Sequence, residues 1–181
     1  LGRPRLGVLI SAGNLDSMLN KFTAAKKIRS TDSYSPGGKA GLRPDRATIV
    51  YANRIRECWP DIPVIIGGIE ASLRRFAHYD YWSDSVRRSI LVDSRADLLI
   101  HGMGERQIVS IAEKLNQGLS IREIHDVNGT CWLTGDRGDL PADSLEVASY
   151  EQVSANKIDY AAAFKTQYLE QDPIRGRPIV Q

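Results

Sequence analysis

Two cysteines, Cys58 and Cys131, are all that the 181 residues contain. They stand too far apart for a local metal motif and are too few for a disulfide scaffold, so a reducing cytoplasm is the expected compartment. No apolar run approaches the roughly 20 residues of a membrane span, which argues for a soluble chain with no membrane partner. Neither sign of charge is in excess. The 24 Lys and Arg against 22 Asp and Glu leave +2, too little by itself to argue for nucleic acid. Phosphate fingerprints are missing as well: Gly102-x-Gly104 has Gln107 at the third glycine position, and Gly37-Gly38-Lys39-Ala40-Gly41 lacks the Walker spacing. No nucleophile stands beside a base, so no catalytic residue is assigned. The chain shows no signal-peptide pattern, and Leu1 to Leu6 reads as the interior of a longer polypeptide.

What is present is ordinary for a globular domain: 42% hydrophobic and 25% charged residues. A chain of this length buries roughly 70% of its extended surface, enough for a real core. Charge is unevenly placed. Lys21, Lys26, Lys27, Arg29, Lys39, Arg43 and Arg46 face only Asp32 and Asp45 across residues 21–46, and residues 139–172 are predominantly acidic.

Three apolar runs closed by turn residues read as buried strands: Arg5 to Ser11, Ile62 to Ile66 before Gly67-Gly68, and Asp97 to Ile100 before His101-Gly102-Met103-Gly104. Pro44 to Cys58 and Glu105 to Leu115 read as helices, and Ser154 to Gln171 as a third whose Ile158, Ala161, Ala162, Lys165 and Tyr168 form an apolar stripe. Ala71 to Phe76 can start a helix, and Val86 to Val92 fits either helix or strand. Phe22 to Arg43 is a long loop, Asn128 to Gly138 a small hairpin or an excursion at the sheet edge, and Asp172 onward cannot continue the last helix. Strands alternating with helices give an α/β, three-layer fold, a mostly parallel sheet with helices on both faces. Ligands of such sheets sit beyond the carboxyl ends of the strands, which puts Asn14, Asp16, Gly67, Gly68, Glu70, Gly102, Gly104 and Glu105 on one rim.

Each group there has an architectural and a functional reading. The glycines serve an anion or a turn needing positive φ. Asn14 and Asp16 suit a self-bonded turn. Arg74 and Arg75 fit a carboxylate or phosphate, or pair with Glu70 at i,i+4. His78 with Asp80 and Asp84 makes a poor metal set, and no metal site is expected. Tyr79, Tyr81 and Trp82 suit stacking or interdomain contact. Lys39 and Arg43 belong to a solvated loop or to a flap over an anion. The substrate or interdomain contact set is thus Asn14, Asp16, Lys39, Glu70, Arg74, Arg75, His78, Tyr79, Asp80, Tyr81 and Trp82, beside the glycine rim.

With these residues in view, the chain resembles the N-terminal domain of YgiQ-type radical SAM proteins. The matching stretches are Leu1 to Leu6, Ala12 to Met18, Pro36 to Lys39, Arg43 to Tyr51, Gly67 to Asp84, Gly102 to Glu105 and Gln171 to Pro173. The resemblance implies a Rossmann-type, cobalamin-binding-domain-like accessory module, incomplete at its N-terminal edge, over residues 1–140, with a helical connector over 141–181 toward a C-terminal radical SAM barrel of the same chain. It implies a 4Fe-4S cluster and S-adenosylmethionine for the full-length protein and no cofactor here, because Cys-x3-Cys-x2-Cys is absent. Cobalamin is not supported, since Asp-x-His-x-x-Gly is absent too. The expected role is docking on the barrel and helping recognise an unknown substrate. The alternative is a polyanion module, for RNA or a nucleotide, built on the 21–46 loop and the glycine rim.

Overall fold

The tripeptides Val8-Leu9-Ile10, Val64-Ile65-Ile66 and Leu98-Leu99-Ile100 become the strands around which the first part of the chain packs. The computed structural model describes residues 2–172 and 174–181; Leu1 and Pro173, each in a stretch quoted above, lie outside the described residues. In order the elements are β1 (Val8–Ile10), α1 (Ser17–Lys21), α2 (Ala47–Cys58), β2 (Val64–Ile66), α3 (Gly68–Leu73), β3 (His78–Asp80), β4 (Ser85–Arg87), α4 (Ile90–Ser94), β5 (Leu98–Ile100), α5 (Glu105–Asn116), β6 (Thr130–Cys131), β7 (Leu145–Glu146), α6 (Tyr150–Ala155), α7 (Lys157–Leu169) and β8 (Ile179–Val180). They divide into two compact units. The first holds the chain up to Arg75 together with Ile90–Leu133, and the second holds Phe76–Ser89 and Thr134–Gln181.

In the first unit the sheet order is β1-β2-β5-β6, with β1, β2 and β5 parallel and β6 antiparallel to β5. Period-two alternation sends the strand residues to opposite faces. Ile10, Val64, Ile66 and Leu99 pack with Ala52 of α2, Ala71 of α3, and Ile90 and Leu91 of α4. Ile65, Leu98 and Ile100 pack with Ile111 of α5 and with Ile121, Ile124 and Val127. Helices therefore cover both faces, giving the Rossmann-like three-layer α/β arrangement that the alternating pattern predicts. At the amino ends of the strands, Asp97 accepts from Val64 N (2.8 Å) and pairs with Arg56 of α2 (2.5 Å), which locks strand to helix. β1 ends the sheet, and its Leu9, in register with buried Ile65, stays 53% exposed.

The second unit is smaller. The β3–β4 hairpin packs through Ala77 and Val86 on Val153 of α6 and Ala163 of α7, while β7 and β8 pair in parallel.

Several local expectations change. Asp16 does more than close a turn: its carboxylate accepts from Met18 N (2.9 Å) and Leu19 N (3.3 Å) and caps α1. The segment from His78 to Trp82, whose polar and aromatic composition resembles a loop, is mostly strand and hairpin turn. Val86 to Val92 divides between β4 and α4. The helix expected from Ser154 to Gln171 is two, because Asn156 leaves helical geometry (φ −134°) and its side chain caps α7 through Ile158 N (2.9 Å). Its apolar stripe faces away from Ala163, the buried residue of α7. Among the described residues no helix is long and apolar enough to cross a membrane.

Candidate functional site

The carboxyl ends of β1, β2 and β5 border an open groove of about 260 Å³ lined by Leu9, Ser11, Ile65, Gly67, Gly68, Ile100, Gly102, Gly104, Glu105 and Ile108, among others. Its walls need glycine. A Cβ on Gly104 would lie 2.8 Å from Ile100 Cγ2, and Gly68, at φ +79°, would bring one within 3.2 Å of Ser11 Cβ. Gly102 also takes positive φ (+74°), and its N–H donates to Ser72 Oγ (3.1 Å). The floor is apolar, from Leu9, Ile65 and Ile100, and Glu105 is an exposed carboxylate on the rim. Such a concave surface suits a mostly apolar group carrying a few polar atoms.

Beside the groove, the acidic and basic residues singled out from the sequence bond to each other. Glu70, 1% exposed, accepts from Ser17 N (2.7 Å) through Oε2 and from Thr48 N (3.0 Å) through Oε1. One carboxylate thereby satisfies first-turn N–H groups of both α1 and α2, where the helix dipoles favour negative charge. Asp16 pairs with the guanidinium of Arg74, which also donates to the Glu70 carbonyl (3.2 Å). Ser17 Oγ accepts from Ala47 N (2.9 Å) and completes the link. The Glu70 carboxylate is thus held by two backbone N–H groups, while Arg74 turns to Asp16.

Arg75 donates to the Ser72 carbonyl (2.6 Å). His101, at the end of β5, has its pKa lowered by burial and secondarily by the charge of Arg75. Burial likewise pushes the Cys131 thiol up to about 11. Asn14 and Lys39 are exposed.

The run from Glu70 to Trp82, contiguous in sequence, is divided between the two units after Arg75. In the second unit, Asp80 is buried and accepts from Ser83 N (3.0 Å) and Ser83 Oγ (2.5 Å), organising the turn between β3 and β4. His78 Nδ1 lies 3.2 Å from the Phe76 carbonyl. Tyr79 donates its hydroxyl to Asp84 (2.6 Å), a bond that raises its pKa, and its N–H donates to Tyr160 Oη (2.9 Å). Tyr81 and Trp82 meet edge to face at 5.3 Å. Tyr79 and Tyr81 are both about half exposed.

The basic stretch is built around Asp32, which the charge count shows only as one of two acids among seven bases. Buried Asp32 accepts from Arg43 Nε (2.8 Å), Asn20 Nδ2 (2.7 Å), Tyr34 N (2.9 Å) and Ser35 Oγ (3.0 Å), and the Arg43 bond holds its carboxyl well below the usual range. Arg29 donates to the Leu19 and Phe22 carbonyls (3.1 Å each), and Lys21 pairs with Asp45. The crevice among these residues, about 10 Å³, has room for no more than a water. Sequence reasoning placed the glycines and Glu105 at the groove and missed its apolar part, including Leu9, Ile65, Ile100 and Ile108, together with Ser11. Their only signal was that of buried strands and one side of a regular α5, which does not tell a groove floor from core.

Among the described residues no group of three or more His, Cys, Asp and Glu could hold a metal ion. Cys58 and Cys131 are both free, one exposed at the end of α2 and one on β6, so the residues present do not fit an iron-sulfur cluster.

The model of the family described as Radical SAM N-terminal matches residues 1–181. A UPF0313 protein of Clostridium botulinum (strain ATCC 19397 / Type A) is 59% identical over 181 residues, 100% of this chain and 28% of the relative. A UPF0313 protein of Clostridium perfringens (strain 13 / Type A) is 55% identical over 181 residues, 100% of this chain and 27% of the relative. The chain therefore spans little more than a quarter of these relatives. No solved structure matches it.

Proposed function

Because the chain belongs to the radical SAM N-terminal family, we propose that it is the accessory domain of a radical S-adenosylmethionine enzyme, docking on the catalytic part and contributing to substrate recognition. In the full-length protein a 4Fe-4S cluster and S-adenosylmethionine would supply the radical, and the residues present here leave the cluster's ligands to the rest of the chain. The observation that carries the recognition role is the glycine-walled groove, which is concave and apolar-floored and, among the described residues, is lined by no nucleophile-and-base pair. Exposed Glu105 supplies a polar contact at its edge, and the half-exposed Tyr79 and Tyr81 of the hairpin are contact residues of the second unit.

The polyanion alternative gains less support, since Lys21, Arg29 and Arg43 are bonded within their own loop, leaving Lys27 and Lys39 exposed. If the alternative holds, RNA affinity at low salt falls steeply as salt rises.

The test uses the full-length protein, purified anaerobically with iron and sulfide and supplied with S-adenosylmethionine. Formation of 5′-deoxyadenosine is expected; a preparation with no cluster and no cleavage overturns the enzyme reading. Leu9→Arg and Ile108→Glu place charge in the groove from exposed positions. They should abolish stimulation of cleavage by a cell-extract substrate fraction while basal cleavage persists, and undiminished stimulation removes the groove from recognition.

A further inference from the structure

α7 is apolar on the side that its own unit leaves uncovered. Its buried side carries Ala163 and half-buried Tyr160. At 100° per residue, Ile158, Ala161, Ala162, Tyr168 and Leu169 share an arc of about 120° on the opposite side. They are exposed, Ile158 to 77%, Tyr168 to 64% and Leu169 to 63%, and Phe164 flanks them at 58%. Lys165 is the one charged residue inside the arc. A helix face this apolar is normally packed against a neighbour. α2 shows the usual solution, with the Arg54–Glu57 ion pair (2.5 Å) turned to solvent.

We propose that this outward face of α7 is the surface on which the polypeptide following Gln181 in full-length family members docks. The inference rests on the reading above that a catalytic part follows, and it names the surface that meets it. Two observations choose this occupant. The relatives have more than three times the length of this chain. Residue 181 is also fixed on the same unit as α7: β8 pairs with β7, Gln181 Oε1 accepts from Ala77 N (2.7 Å), and its Nε2 donates to the Ala148 carbonyl (3.0 Å). Polypeptide running on from there starts tethered to the unit that carries the patch. Tethering of this kind gives effective concentrations on the order of millimolar, so a surface of a few hundred Å² is sufficient for stable docking. The docked surface is expected to be apolar, with an acceptor opposite Lys165.

The experiment places a photo-cross-linking residue at Ile158, and separately at Leu169, in the full-length protein. Cross-links to peptides beyond residue 181, with a yield independent of protein concentration, are expected. Hydroxyl-radical labelling of Phe164 and Tyr168 should run several-fold slower than that of exposed Leu42 and Tyr34. The pair Ile158→Glu and Leu169→Glu, at positions outside any core, should restore fast labelling of Phe164. Concentration-dependent cross-links to a second copy overturn the proposal in favour of self-association. Cross-links to residues 2–133, or none together with fast labelling of Phe164 and Tyr168, overturn it as well. Cross-linking without 5′-deoxyadenosine defeats the enzyme reading alone, whereas 5′-deoxyadenosine without cross-linking defeats the docking surface alone.

Discussion

Glu70 orders two helix starts of the first unit at once, one through each of its oxygens. Glu70→Ala leaves both N–H groups buried without acceptors and should destabilise the domain by about 3 kcal/mol or more, read as a lower urea midpoint. Glu70→Gln keeps one acceptor and turns an NH₂ toward the other donor, so a smaller loss of about 1–3 kcal/mol is expected. Protonation has its own signature at His101, whose folded pKa lies below the ordinary 6.5. The unfolded chain binds the proton first, so stability contributed by neutral His101 is present above that value and falls as pH drops from there toward the folded pKa. Stability measured from pH 8 down to pH 5 should show this decline, and His101→Gln should flatten it. The thiols separate in the same way: at pH 8 exposed Cys58 should react with a maleimide and Cys131, raised to about 11, should not, so that Cys58→Ser removes native-state labelling.

The strands and long helices of the first unit were legible because their signals are local. Val64-Ile65-Ile66 can hardly be anything but a doubly covered strand, and Gly67-Gly68 marks its end. The hairpin was not, because β3 owes its strand state to pairing with β4 and to the Asp80 turn, and its own composition signals polar loop. The rim position of the glycines was legible from topology. The inward use of Asp16, Glu70 and Arg74 was not, since nothing in their spacing tells a ligand site from a set of caps. The 21–46 loop shows the same limit: seven basic residues suggest a surface for an anion, whereas Asp32 turns Arg43 inward. With a folded pKa below its ordinary 3.8, Asp32 contributes order that is fully present above that value and is lost as pH falls through the folded one. Asp32→Ala should release the loop at neutral pH, seen as faster tryptic cleavage at Lys26, Lys27 and Lys39 with the sheet intact.

On the scale of the molecule, the two units are interleaved in sequence, since the hairpin of the second is an insertion between α3 and α4 of the first. Ending the chain at Leu133 removes α6 and α7 and takes Val153 and Ala163 from a core that also contains Ala77. The shortened protein should keep the four-stranded sheet and lose protection of hairpin amides from exchange; full protection at Tyr79 and Val86 would mean the hairpin stands alone. Interleaving also imposes an order of events during synthesis. Residues 76–89 leave the ribosome while α6, more than sixty residues later, is still untranslated. At roughly 5–20 residues per second the hairpin waits several seconds for its partner, longer than the microseconds in which hairpins form and fray. During that interval the turn has the Asp80–Ser83 bonds but not the packing of Val153. The nascent chain thus carries an exposed ribbon past the completion of its first sheet, and the yield of folded protein should depend on translation speed between residues 90 and 155.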